Sequence, residues 1–196
     1  MNRVRAIALA CNVTLMALTA LAISAIAQSS NSEATWKLLQ QKKPGYVVLM
    51  RHAAAPGTGD PANFQLSDCS TQRNLSAVGR SQATRMGRAF RDRAIPIAKI
   101  LSSQWCRCLD TARLLNLGTV QPFPTLNSFF QNSNREPKQT AMVRQWIKTN
   151  SSQKGVSILV THQVNITALI NIFPQQGELI VLNTTADGTI KLVGRI

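Results

Sequence analysis

Tyr46-Val47-Val48-Leu49-Met50-Arg51-His52 is the stretch on which the fold turns. Its first five residues are apolar and partly β-branched, with no polar alternation. That pattern suits a strand covered on both faces of a parallel sheet. The run stops at two polar groups, Arg51-His52. A similar ending recurs downstream, where Val156 to Val160 runs into Thr161-His162. Between them Ile95 to Leu101 reads as another strand, with Pro96 near its start and Ser102-Ser103 at the turn beyond it. Helical patterns separate these strands. Ser76 suits an N-cap, and the segment to about Arg93 sets Val78, Ala83, Met86 and Phe90 among basic residues. Cys106 to Leu115 reads as a second helix, ending near Gly118. Pro137 fits the first turn of a third, running to about Lys148. Asn165 to Phe173 is a short fourth, closed by Pro174. Glu178 to Leu182 and Thr189 to Val193 read as two further strands joined by the turn Ala186-Asp187-Gly188. Strands alternating with helices predict an α/β domain, a three-layer α/β/α sandwich with a mainly parallel sheet.

The connections carry their own information. Residues 53–75 form a long irregular loop rich in Ala, Gly, Pro, Asp, Ser and Asn, a length that is usually functional or disordered in a compact domain. The Pro-rich piece Val120 to Leu126 reads as connection, leading into Asn127-Ser128-Phe129-Phe130 and another polar loop. Upstream of the first strand, residues 28–44 are a polar segment with a short helix around Thr35–Gln41. The folded domain is therefore expected over 45–196, without internal repeat or interdomain linker.

Residues 1–27 read differently. Arg3 and Arg5 precede an uncharged stretch from Ala6 to Ala27, and Ala25-Ile26-Ala27 supplies small residues before Gln28. This is the charged head, apolar middle and small-residue site of a secretory signal, so the chain is expected to be exported, to a periplasm or beyond the cell. An uncleaved membrane anchor is the alternative, because the apolar run approaches a bilayer span. Membrane association is expected only in that case. Removal of the segment lowers the formal net charge from +14 to +12. A basic balance of this size favours anionic partners. The basic residues are scattered, however, and no zinc-finger or RNA-binding motif is present, so nucleic acid is not an expected partner. Outside the cytoplasm, Cys69, Cys106 and Cys108 permit one disulfide and leave one thiol over. Composition and spacing alone do not choose the pair. Cys106-x-Cys108 has the wrong spacing for a metal site and the chain holds two histidines in all, so neither metal nor other cofactor is expected.

In open α/β sheets ligands sit outside the carboxyl ends of the strands. Arg51-His52, Arg107 and His162 all fall at such ends, and the topology gathers them at one edge. The chemistry suits them. A neutral imidazole is a competent nucleophile toward phosphorus, and a phosphohistidine divides a hard hydrolysis into two displacements. The transferring phosphoryl group spreads charge over three oxygens, which calls for fixed positive donors. Arginine's planar fork meets that geometry better than lysine's point charge.

Four pieces in order carry a resemblance. They are Val48-Leu49-Met50-Arg51-His52, then Arg73-Asn74-Leu75-Ser76-x-x-Gly79-x-x-Gln82-Ala83, then Ser102-Ser103-x-x-x-Arg107-x-x-x-Thr111-Ala112, then Val160-Thr161-His162. Together they resemble the histidine phosphatase superfamily, with its phosphoglycerate mutase-like fold, from about residue 46 to 182. The resemblance implies that His52 accepts the phosphoryl group and that Arg51, Arg107 and His162 complete the phosphate pocket. It implies a small phosphorylated substrate, and export would make an envelope sugar phosphate a natural one. It also gives a basis for the disulfide. Cys69 lies in the loop over the site and Cys106 precedes the pocket arginine, so a Cys69–Cys106 bridge would hold the two together.

Two departures from the family pattern matter. Ala53 stands where the family has glycine after the first Arg-His, which requires an ordinary backbone conformation there. More consequentially, the family's ester-cleaving members use a carboxylic acid to protonate the leaving oxygen. The corresponding positions here hold Gln163 in one branch's arrangement and Ser128 in the other's. Asp60 and Asp68 in the long loop are the nearest substitute donors, with Glu136 and Glu178 behind them. Alternatively the leaving group needs no acid, as with the nitrogen of a phosphoramidate. The function expected is hydrolysis of a phosphomonoester or phosphoramidate through phospho-His52. Its rivals are a phosphomutase, a catalytically weak phospho-ligand binder, and a basic protein for anionic envelope polymers.

Overall fold

The strands and helices assemble as a six-stranded sheet in the order β3-β2-β4-β1-β5-β6. The computed structural model describes residues 31–185 and 187–196, and the expected signal segment 1–27 lies outside the described residues. Thr35–Ile196 form one compact unit. The strands are β1 (Tyr46–Arg51), β2 (Ile97–Ser102), β3 (Val120–Pro122), β4 (Val156–Thr161), β5 (Leu179–Thr184) and β6 (Ile190–Arg195). β1 through β4 run parallel, β4 lying between β1 and β2, while β5 pairs antiparallel with both β1 and β6.

The apolar run of β1 explains its central place. Val48 and Met50 face one layer and Val47 and Leu49 the other, all buried. Against the first face pack Trp36 and Leu39 from a leading helical segment, Phe90 of α1 (Ala77–Asp92), and Ala112 and Leu115 of α2 (Cys106–Leu115). Against the second pack Val143 and Ile147 of α3 (Glu136–Thr149) with Ile166 and Leu169 of α4 (Gln163–Ile170). This is the three-layer α/β/α arrangement, and a strand facing two helix layers has no use for polar alternation.

The expected elements are present, with adjustments at their ends. β3 was expected to be connection. It is a three-residue edge strand ending in Pro122, a position where proline's missing donor costs no ladder bond. α4 begins at Gln163 rather than Asn165 and stops at Ile170, because Asn171 turns left-handed at φ +56. β2 starts two residues late, after Ala94 turns the chain at φ +49. Among the described residues no helix is long and apolar enough to cross a membrane.

Candidate active site

His52 follows β1 directly, and its backbone N–H donates to Thr161 O at the end of β4 (2.9 Å). Ser103, just past β2, donates from its backbone to Val160 O (2.9 Å). These bonds tie the ends of three neighbouring strands, so side chains leaving them converge. The His52 and His162 rings lie 5.6 Å apart between centroids, nearly edge to face.

Hydrogen bonding fixes the state of each ring. His52 Nδ1 is 2.8 Å from Ala53 O, and a carbonyl only accepts, so Nδ1 carries the proton. Nε2 is then the nitrogen with the free lone pair. His162 Nε2 lies 2.8 Å from Ser103 Oγ, while its Nδ1 meets Arg107 Nη2 at 3.5 Å. Because a guanidinium only donates, His162 is protonated on Nε2 and offers a bare Nδ1 toward the arginine. Ser103 Oγ in turn donates to Asn127 Oδ1 (3.3 Å). Burial holds both imidazoles neutral, with Arg107 adding to the effect. His52 is lowered to about 3 and His162 well below its usual value. A neutral His52 is what nucleophilic attack needs.

Arg107, in the first turn of α2, is 3% exposed. Its two terminal nitrogens hold both carboxylate oxygens of Asp60, at 2.6 and 3.1 Å. Asp60 also accepts from Arg73 N (3.1 Å) and Trp105 Nε1 (3.0 Å). Burial pushes the Asp60 carboxyl up, but these partners, Arg107 foremost, outweigh it and leave the group below its usual range. Arg51 is half-buried, donates Nη1 to Pro174 O (2.9 Å) and lies 6.0 Å from the Phe173 ring centroid. Arg51 Nε and Arg107 Nε are buried without a hydrogen-bond partner. Arg51, His52, Asp60, Arg107 and His162 all line one pocket, of about 630 Å³ including its open mouth.

A family model described as histidine phosphatase superfamily (branch 1) matches residues 47–129, from β1 through the Ser128 turn. Over those residues the chain is similar to the histidine phosphatase superfamily. Solved structures share the fold at low identity. The protein histidine phosphatase SixA complexed with tungstate is 14% identical over 77% of this chain and 96% of its own, with a TM-score of 0.58. Mycobacterial glucosyl-3-phosphoglycerate phosphatase with VO3 is 16% identical over 76% and 96%, TM-score 0.58. Phosphoserine phosphatase from Entamoeba histolytica with 3-phosphoglyceric acid is 14% identical over 76% and 95%, TM-score 0.55. None of the curated proteins matches by sequence.

In this chain the four ordered pieces have separable jobs. Ser76 caps α1 by accepting from Gly79 N (3.1 Å), and both its backbone N–H and its hydroxyl donate to Ala54 O. Gln82 accepts from Ala54 N (3.0 Å) and donates to Gln176 O (2.8 Å). Thr111 accepts from Ala53 N (3.0 Å) and donates to Arg107 O (2.7 Å). These residues hold the backbone after His52 and do not line the pocket. Ala53 avoids positive φ and is fully buried, as its side chain requires.

Cys69 and Cys106 form a disulfide with Cα atoms 5.7 Å apart, and Cys108 is a buried free thiol. Beside the bridge, Gln72 Oε1 accepts from Cys106 N (2.9 Å), so loop and helix start are held twice. Of the candidate acids, Asp60 enters the pocket. Asp68 does not line it: its exposed carboxylate accepts from Ser70 N and Oγ and caps the short 3₁₀ turn Cys69–Thr71. Glu136 lies in the first turn of α3, and Glu178 pairs with Arg195, both away from the pocket lining. Sequence reasoning missed two contributors. Ser103, expected only at a turn, is the partner of His162. Trp105 stands edge-on to His162 at 5.4 Å between centroids and donates to Asp60. Arg73, the first residue of the second ordered piece, both lines the pocket and binds Gly59 O (2.8 Å).

Proposed function

We propose that the chain is an exported phosphatase that hydrolyses a phosphomonoester or phosphoramidate through a phosphohistidine on His52. One observation carries the reading. A neutral imidazole with Nε2 left free faces a second imidazole and a buried arginine fork across a single pocket. In the reaction the Nε2 lone pair attacks phosphorus while Arg51 and Arg107 hold the equatorial oxygens. His162 Nδ1, bare in the empty site, takes up a proton beside the incoming dianion and donates to it. The partnerless Nε–H groups of Arg51 and Arg107 supply further donors. The superfamily match supports this chemistry, and the neighbours named above are phosphatases of phosphohistidine, glucosyl-3-phosphoglycerate and phosphoserine.

Export is supported by the signal-like pattern of residues 1–27 and by the Cys69–Cys106 bridge, which an oxidising compartment allows to persist. A small substrate suits the pocket's size, and an envelope sugar phosphate suits a basic exported enzyme. The test compares wild type with His52→Ala on a panel of phosphate esters and phosphohistidine peptides. Wild type should form an acid-labile phosphoenzyme, and the variant should lose it together with at least about a thousandfold in turnover. Equal rates from both proteins would end the nucleophile assignment.

A further inference from the structure

We propose that Asp60 is a displaceable counterion of the empty site that becomes the proton donor once a substrate's phosphoryl group replaces it on Arg107. The proposal rests on the phosphatase reading above. Asp60 is the one carboxylate among the described residues that line the pocket. Its side chain is 7% exposed and that of Arg107 4%, so the pair is a buried fork-to-fork contact. A carboxylate and a phosphoryl group present their oxygens to a guanidinium in the same two-pronged way. Both cannot hold the Arg107 fork at once. Productive binding therefore displaces Asp60.

Glycines stand next to Asp60 in the loop, with Arg73 Nε on Gly59 O (2.8 Å) the bond that a movement there would strain. Gly57 and Gly59 flank Thr58 at φ +84 and +71, conformations that glycine adopts without steric cost, and residues 56–58 are exposed. A small rotation there would lift Asp60 off Arg107 while keeping it at the pocket. The uncharged hydroxyl and amide side chains that line the pocket, Thr58, Ser128, Gln131 and Gln163, have no proton to lend near neutral pH.

Displacement also changes the acid. In the empty site Arg107 outweighs burial and keeps the carboxyl ionised. Once the phosphoryl group holds Arg107, that opposing pull is weakened, burial persists, and a new negative charge stands alongside. Displacement also parts the carboxyl from Arg73 N and Trp105 Nε1, so burial and the new charge, which favour the protonated form, oppose only the nearby charge of Arg73. The charged and titratable groups facing Asp60 are Arg107, Arg73, Arg51, His52 and His162, the two imidazoles being neutral in the empty site and His162 gaining its proton only with the dianion. In the first step His52 Nε2 forms the N–P bond, the P–O bond to the leaving group breaks with its electron pair on oxygen, and the Asp60 proton passes to that oxygen. In the second, Asp60 carboxylate takes a proton from water as the water oxygen bonds phosphorus. The P–N pair then returns to Nε2, releasing phosphate.

The experiment has two arms. In wild-type protein, inorganic phosphate is titrated while the indole N–H resonance of Trp105, assigned by its loss in Trp105→Phe, is followed by NMR. Displacement moves that resonance, because its acceptor is Asp60. Phosphate that binds and leaves it unmoved overturns the proposal. In the second arm Asp60→Asn should bind phosphate tighter by roughly tenfold or more, since no ionised competitor holds Arg107. It should also lose on the order of a hundredfold or more on an alkyl phosphate, yet under about tenfold on 4-nitrophenyl phosphate, whose leaving group needs no proton. Equal losses on both, or unimproved phosphate affinity, would refute it. If Asp60→Asn fails to fold, the wild-type resonance decides. If wild type forms no phosphoenzyme, the phosphatase reading and the acid role fall together, while the resonance still reports whether phosphate displaces the counterion.

Discussion

Thr111 sits one helical turn after Arg107 and joins the two halves of the site. Its hydroxyl is at once the acceptor for Ala53 N and a donor to Arg107 O. Thr111→Val keeps the shape and leaves the buried Ala53 N–H without an acceptor, which should cost about 1–3 kcal/mol in urea denaturation and lower turnover. Thr111→Ser should restore both. If Thr111→Val is as stable and active as wild type, the bond has no role. At this scale the sequence already pointed to His52, His162, Arg51 and Arg107, because Arg51 ends one apolar run, the histidines come just after two, and Arg107 opens the helix beyond a third. Asp60 was legible only as a nearby carboxylate. Its grip on Arg107 depends on how residues 53–75 fold back, and irregular loops carry no periodicity to read. Asp68 looked equivalent in sequence, yet the turn at Cys69–Thr71 points it to solvent.

Among the elements, α1 shows why its glycines stand where they do. A Cβ on Gly79 would come within 2.1 Å of Ala54 O, and one on Gly87 within 1.9 Å of Leu115 O. On an open helix, Gly to Ala gains about 1 kcal/mol. Here both substitutions drive a side chain into backbone, so Gly79→Ala and Gly87→Ala should each destabilise by about 1–3 kcal/mol in chemical denaturation. The two should differ in activity. Gly79 abuts the chain just after His52 and should lower kcat, whereas Gly87 abuts the end of α2 and should leave turnover of the folded enzyme near wild type. A stabilising result at either position would contradict the close approach. The helix itself was legible from Ser76 and the apolar positions, but the reason for Gly79 was not, since the contact is with a loop 25 residues upstream in the chain.

For the whole molecule, burying two neutral imidazoles couples stability to pH. The folded His52 binds a proton only near pH 3, and His162 also lies well below its usual value. The unfolded chain's histidines take protons below about 6.5. Below that pH the unfolded state therefore binds more protons than the folded one, and stability falls as pH drops toward 3. Asp60, held low by Arg107, acts in the same direction at more acid pH, where protonation breaks the buried pair. The urea midpoint should be lower at pH 4.5 than at pH 7.5, and His162→Gln should flatten the difference. A midpoint constant over that range would mean the rings are not buried in neutral form.

Local pattern alone determined the layered α/β class, the strand ends at which Arg51 and the two histidines stand, and the cap that starts α1. Each follows from side-chain periodicity or short-range backbone bonding, which a linear string preserves. Tertiary folding decided which nitrogen of each imidazole is bare, that Ser103 and Trp105 serve the site, that β5 enters antiparallel, and which loop carboxylate reaches Arg107. Those outcomes depend on distances between segments far apart in the chain, and such distances exist only once both helix layers close on the sheet.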